Sequence, residues 1–156
     1  MSRNVSDYAH PILRGKMKER NLAIYRMRVV EMRTFKRIGA EFGISRERAR
    51  QISKKVGNAL ARLEWVTSQI EEGKPVTLNL LYMSPRLRGF FEFANGPGSH
   101  FGENVLDMRP ADFVRRYPPH LLLKMPNFGR KNLAELIELM EKEEPGVSDI
   151  WTAGNR

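Results

Sequence analysis

The sequence predicts an all-α protein made of two small domains. Apolar residues recur at spacings of three and four along most segments, which is the period of an amphipathic helix. A stop-and-linker pattern, Glu71-Glu72-Gly73-Lys74-Pro75, separates the two halves. The 156 residues leave room for one ordinary domain or two small ones, and 41 % of them are hydrophobic, which is enough for packed cores.

Positive charge is concentrated in the first half of the chain. Residues 1–72 contain 16 Lys and Arg against 8 Asp and Glu, whereas residues 73–156 contain 11 against 10. Basic side chains that neutralise phosphates release counterions, so a polyanion such as nucleic acid is the expected partner of the first half. A solvated basic surface is the alternative.

Several classes of protein are excluded or disfavoured by what the sequence lacks. There is no cysteine, which excludes disulfides, thiolate catalysis and cysteine-ligated zinc. No apolar run approaches the roughly 20 residues of a membrane span, so we expect a cytoplasmic protein without a membrane partner. His10, His100 and His120 lie in unrelated segments without metal-ligand spacing. With no nucleophile or phosphate-loop motif, we predict no enzymatic activity, no metal and no cofactor.

Three helices are predicted before the linker. The first runs from about Lys16 to Met32, and the second from about Thr34 to Phe42, where Gly43 follows as a C-terminal glycine. Ser45 is a good N-cap for the third helix, which continues to about Glu72. A short helix, a glycine turn and a capped helix form a helix-turn-helix.

Apolar residues along the third helix form a heptad-like seam from Ile52 to Ile70. The seam consists of Ile52, Val56, Ala59, Leu63, Val66 and Ile70. It predicts packing on the first helix, and a homodimer contact is the alternative.

The first turns of the third helix are rich in side chains that recognise DNA bases. The second helix of a helix-turn-helix enters the major groove, where Arg pairs with guanine, Gln pairs with adenine and Glu accepts from cytosine. The candidate base-reading residues are Arg46, Glu47, Arg50 and Gln51. The candidate phosphate-binding residues are Arg33, Lys36, Arg37, Arg48 and Lys54. An ordinary solvent-exposed helix face is the alternative for each of them.

The stretch from Thr34 to Ile52, TFKRIGAEFGISRERARQI, closely resembles region 4 of primary bacterial sigma factors. The similarity extends over roughly Lys18 to Leu63. This resemblance implies recognition of the −35 promoter element, and it assigns base reading to Arg46, Glu47, Arg50 and Gln51.

The second half is predicted to contain four helices. They cover Pro85 to Phe93, a short stretch from Pro110, Pro118 to Lys124, and Arg130 to Glu143. Val76 to Met83 is expected to be extended, as a short strand or a docking segment. The pattern also predicts the roles of two sets of side chains. Phe90, Phe91 and Phe93 form either core or a base-stacking platform, and Glu135, Glu138 and Glu141 to Glu143 form a solvated helix face.

A helical hairpin is predicted from Leu121 to Leu133, with a tight turn at Asn127-Phe128-Gly129. The backbone N–H groups that begin its second helix form an anion site suited to a DNA phosphate, and a purely structural turn is the alternative. The segment from about Asp112 to Leu139 resembles the C-terminal domain of the bacterial RNA polymerase alpha subunit. This resemblance implies DNA or partner contact through Asn127, Gly129, Arg130, Lys131 and Asn132. Met83-Ser84-Pro85-Arg86 resembles the start of the first helix of the same family, which adds Arg86 to these contact residues.

The predicted organisation is a flexible arm at 1–15, a helix-turn-helix domain at 16–72, a linker at 73–83, a helical domain with a helix-hairpin-helix-like motif at 84–145, and a tail at 146–156.

The two resemblances imply a bacterial or phage transcription regulator, associated with the nucleoid, that binds double-stranded promoter DNA and recruits or modulates bacterial RNA polymerase. The alternative is a polymerase-binding mimic that displaces or redirects host sigma region 4 or the alpha C-terminal domain. An accessory subunit of a repair enzyme is a weaker third option, because the hairpin is far less specific than the helix-turn-helix.

Overall fold

A computed structural model of the protein describes residues 4–15 and 17–153. This part of the chain contains α-helices and 3₁₀ turns and no β-strand, which confirms the predicted all-α class. The helices are α1 Lys18–Val29, α2 Phe35–Phe42, α3 Arg46–Glu71, α4 Pro85–Ala94, α5 Pro110–Arg116, α6 Pro119–Leu122, α7 Arg130–Glu143 and α8 Asp149–Ala153. The 3₁₀ turns are Val5–Tyr8, Pro11–Leu13 and Leu78–Leu80. Residues 1–3, Lys16 and 154–156, predicted to belong to the arm, the first helix and the tail, lie outside the described residues.

The chain divides into two compact units, Met1–Lys74 and Pro75–Arg156. None of the helices of the described residues is long and apolar enough to cross a membrane.

Local signals set the boundaries of α2 and α3. The Thr34 hydroxyl accepts the N–H of Arg37 at 3.3 Å, and the Ser45 hydroxyl accepts the N–H of Arg48 at 3.0 Å, so each helix has a side-chain N-cap. Gly43 ends α2 at a φ of 67°, in the left-handed region that favours glycine. The first helix ends earlier than expected, at Val29, because the chain turns at Met32, which has a φ of 54°.

The first unit has one apolar core. Ile24 of α1, Ile38 of α2 and Val56 of α3 are all fully buried in it. The seam residues Ile52 and Ala59 belong to the same core, and Val66 is also fully buried. Four of the six seam residues are therefore buried within the chain, and the alternative of a homodimer contact through Ile52–Ile70 is not supported.

The N-terminal segment, expected to be a flexible arm, packs against the rest of the first unit. Both of its 3₁₀ turns contact α3, and Tyr8 and Leu13 are buried. The side-chain amide of Asn21, itself buried, donates to the carbonyl of Ile12 at 3.2 Å. Val5, Tyr8, Ala9, Ile12 and Leu13 recur at spacings of three and four, so the apolar spacing that indicates packing was present in the segment predicted to be a flexible arm.

The segment predicted to be a linker belongs to the second unit. Five of its side chains are buried: Val76, Leu78, Leu80, Leu81 and Met83. The Arg88 guanidinium holds it by donating to the side-chain and backbone oxygens of Asn79 at 2.8 and 3.2 Å, and to the carbonyl of Leu81 at 3.1 Å. Burial lowers the pKa of this guanidinium, and the nearby Glu92 opposes the shift.

Aromatic rings form the core of the second unit. Phe91 and Phe113 are fully buried with centroids 5.9 Å apart, and Phe90 packs on Phe128 at 4.7 Å. These edge and tilted arrangements are the favoured geometries for ring pairs. Phe90 and Phe91 are therefore core residues and cannot form a stacking platform, whereas Phe93 remains 60 % exposed.

The C-terminal segment, expected to be a tail, is docked. The Trp151 side chain is buried, and its Nε1 donates to the carbonyl of Val114 at 2.7 Å. The Glu141 carboxylate accepts the N–H of Gly146 at 2.7 Å and the N–H of Ser148 at 2.8 Å. Glu141 is thus an anchor for the following turn and not only part of a solvated face.

Candidate nucleic-acid interface

The helix-turn-helix brings α2 close to the beginning of α3. Ile44 donates its N–H to the carbonyl of Gly39 at 2.9 Å, and a Cβ on Gly39 would lie 2.6 Å from the carbonyl oxygen of Ile44. Only glycine fits this approach without a backbone shift. The contact fixes the angle between the two helices and leaves the first turns of α3 facing outward.

The four predicted base-reading residues are exposed on those first turns: Arg46, Glu47, Arg50 and Gln51. Arg50 and Gln51 both donate hydrogen bonds to the carboxylate of Glu47. Arg50 donates from Nε and Nη2 to the two oxygens of Glu47 at 2.9 and 2.6 Å, and Gln51 donates to the same carboxylate at 3.4 Å. The hydrogen bond from Arg50 lowers the pKa of the Glu47 carboxyl below its ordinary value, so the pair is charged at neutral pH.

The five predicted phosphate-binding residues fall into two groups. Lys36, Arg37, Arg48 and Lys54 are exposed, and none forms an ion pair with an acidic side chain of the described chain. Arg33 differs, because its guanidinium pairs with Glu31 at 2.7 Å and with Glu41 at 2.9 Å. The first group can bind phosphate without breaking an internal ion pair, whereas Arg33 cannot.

A second cluster of polar side chains joins α4 to α7. Arg86 donates from Nε to the side-chain oxygen of Asn132 at 2.7 Å and from Nη2 to Glu135 at 3.3 Å. The buried side-chain amide of Asn132 donates to the backbone carbonyl of Asn127 at 2.9 Å. Asn127 itself has a φ of 62°. The network fixes the Arg86 guanidinium, whose side chain is 54 % exposed, beside the beginning of α7.

The Glu135 side chain was missed by sequence reasoning, which placed it on a solvated face. Its two carboxylate oxygens accept the backbone N–H of Ser84 at 2.6 Å and the Ser84 hydroxyl at 2.7 Å. Fifty-one positions separate the two residues, so no local pattern indicates the contact.

The beginning of α7 has no side-chain N-cap. Gly129 occupies the cap position with a φ of −112° and a ψ of −176°, and Arg130 and Lys131 follow as exposed residues. The first N–H groups of a helix carry a partial positive charge, to which the two cations add. In the described part of the chain, no group of three or more metal-ligating side chains is placed to hold a metal ion.

These features define the first unit as a helix-turn-helix domain of the kind that binds DNA. The comparison with protein families is more specific, because residues 15–63 match Sigma-70, region 4. The match covers about a third of the chain and lies within the first unit. It confirms the resemblance to sigma region 4, which is a regulatory and not a catalytic domain. Comparisons of the chain with curated proteins and with solved structures found no match.

Proposed function

We propose that the protein is a transcription regulator whose first unit reads a −35-like promoter element through α3. The observation that carries this proposal is the exposed set Arg46, Glu47, Arg50 and Gln51 on the first turns of α3, within the segment that matches sigma region 4. The unpaired cations on α2 and α3 support it, because phosphate contacts set the register in which bases are read.

In this function, the full chain recruits or modulates bacterial RNA polymerase. Region 4 domains link DNA binding to the polymerase in general, which supports this assignment. The second unit contributes an auxiliary contact, for which Arg86 and the exposed cations at the start of α7 are the candidate residues. We propose DNA phosphate as the ligand of these residues, because α7 presents its N-terminal N–H groups beside them.

The test is a selection of bound sequences from random duplex DNA, with the full chain at near-physiological salt and without polymerase. Enrichment of a short motif would support autonomous promoter reading, and Arg46→Ala should then weaken binding to it. Retention of DNA without a motif, or no retention, would contradict the proposal. A pull-down of RNA polymerase from bacterial lysate would then test the polymerase-binding mimic.

A further inference from the structure

We propose that the second unit binds a single strand of nucleic acid by stacking an unpaired base on Phe93 and His100. Phe93 is 60 % exposed and His100 is also exposed, and the centroids of their rings lie 5.5 Å apart. The ligand differs from the duplex promoter of the proposed function, and its binding does not depend on that function.

Hydrogen bonds around the two rings hold them side by side. Phe93 lies on the outer side of α4, one residue before the buried Ala94. The loop that carries His100 is tied to the end of this helix. Phe101 donates its N–H to the carbonyl of Ala94 at 3.1 Å, and the Ser99 hydroxyl donates to the same carbonyl. Because the pair is already ordered, little side-chain freedom is lost when a base binds.

An open strip along α4 connects the aromatic pair to a cation. Arg86 and Phe93 are seven positions apart, which places them on nearly the same side of the helix and roughly 10 Å apart along its axis. Between them lies Gly89, which is exposed and has no side chain to block the surface. A strand can therefore lie along α4 with a base on Phe93 and a phosphate at Arg86.

The Arg86 guanidinium keeps a donor for that phosphate. Its Nε and Nη2 atoms donate to Asn132 and Glu135, which fix its position. Its Nη1 atom has no acceptor among the described residues, and the side chain is 54 % exposed. A phosphate at this point meets a charged donor that is already oriented.

The chemistry of the strip favours a single strand over a duplex. The bases of a duplex are stacked on one another, so an exposed ring cannot reach their faces. Proteins that bind single strands combine aromatic stacking with cationic contacts to the backbone, and α4 presents both. Residues 73–156 contain 11 Lys and Arg against 10 Asp and Glu, which suits a ligand held by stacking more than one held by many phosphate contacts.

The experiment measures binding of the full chain to an oligodeoxythymidine single strand and to a duplex of unrelated sequence, over a series of salt concentrations. High salt suppresses the electrostatic binding of the basic first unit. Phe93→Ala should weaken single-strand binding roughly 5- to 150-fold, leave its salt dependence unchanged and leave duplex binding unaffected. Arg86→Gln should instead reduce the slope of log affinity against log salt by about 0.7, the value for one phosphate of a single strand.

Two further substitutions of Phe93 separate stacking from a general apolar contact. Phe93→Trp retains an aromatic ring and should retain the affinity, whereas Phe93→Leu retains only apolar surface and should bind as weakly as Phe93→Ala. Leu121→Ala removes an exposed apolar side chain of the same unit and is the control that should change neither affinity. An oligouridine strand in parallel identifies whether RNA or DNA is the ligand, by the larger effect of Phe93→Ala.

The inference fails if Phe93→Leu binds the single strand as tightly as the wild type, because the surface would then be an apolar contact that suits a protein partner. Equal losses on single strand and duplex in Phe93→Ala would contradict stacking, as would a wild-type chain that binds neither single strand. Selection of a duplex motif by the first unit is independent of each of these results, so failure here is distinguishable from failure of the proposed function.

Discussion

At the scale of single residues, Gly39 decides whether α2 and α3 can meet. The Cβ of an alanine there would lie 2.6 Å from a backbone oxygen of Ile44, which cannot move cheaply. We expect Gly39→Ala to lower the free energy of unfolding by about 1–3 kcal/mol, the usual cost of overpacking. Urea unfolding followed by circular dichroism measures this change.

Gly89→Ala is the control for that substitution. Gly89 lies inside α4, and a Cβ there would meet nothing within 4 Å. Alanine should therefore stabilise the helix by about 0.5–1 kcal/mol. A Gly39→Ala protein as stable as the wild type would contradict the close approach of α2 and α3.

His10 makes stability depend on pH. Its Nδ1 accepts the N–H of Ile12 at 3.0 Å, and burial, with the charges of Lys55 and Arg62, lowers its pKa from 6.5. Well above pH 6.5 the imidazole is neutral in both states and contributes no pH dependence. Below pH 6.5 the unfolded chain takes up the proton first, so the folded state loses stability as the pH falls.

The measurement is the free energy of unfolding at pH 7.5 and pH 5.5 for the wild type and His10→Asn. Asparagine retains an acceptor for the Ile12 N–H but does not titrate in this range. The decrease between the two pH values should be smaller in the variant. An equal decrease in both proteins would assign the pH dependence to other groups.

At the scale of elements, the packing of α8 against the second unit depends on the Trp151 side chain. The indole is buried and donates to the carbonyl of Val114, so Trp151→Ala removes both packing and a hydrogen bond. We expect a loss of about 3–5 kcal/mol in the free energy of unfolding of the second unit. Thr152→Ala changes the exposed neighbour and should remain within about 0.5 kcal/mol of the wild type.

Helices and their ends could be predicted where the signal is local. The Ser45 cap, the Gly43 turn and the apolar spacing of α7 are each contained within a few residues, and α7 runs from Arg130 to Glu143 as predicted. The exposed position of Arg46 and Arg50 followed from the same local pattern.

Contacts between distant segments could not be predicted. The Ser84–Glu135 contact and the bond from Trp151 to Val114 join residues 51 and 37 positions apart. The N-terminal segment is also held by a contact to another element, the bond from Asn21 to Ile12, which local spacing does not indicate. The ion pair between Glu47 and Arg50 is local in sequence. Whether it forms depends on the rotamers of the two side chains, which the spacing of the residues does not determine.

At the scale of the whole molecule, charge is divided unevenly between the halves of the chain. The net charge of residues 1–72 is +8 and that of residues 73–156 is +1, from the counts given above. Long-range attraction to DNA therefore comes from the first unit. A contact by the second unit requires a local arrangement of cations, such as the one at the start of α7.

The salt dependence of DNA binding by the full chain tests whether both units contact DNA. Each phosphate contact adds about one to the slope of log affinity against log salt. We expect Lys36→Ala with Lys54→Ala to reduce the slope by about two, and Arg130→Ala with Lys131→Ala to reduce it similarly. Lys142→Ala, in the last turn of α7, is the control and should leave the slope unchanged. If only the first pair changes the slope, the second unit does not contact DNA phosphate, and its exposed cations are then available to a protein partner.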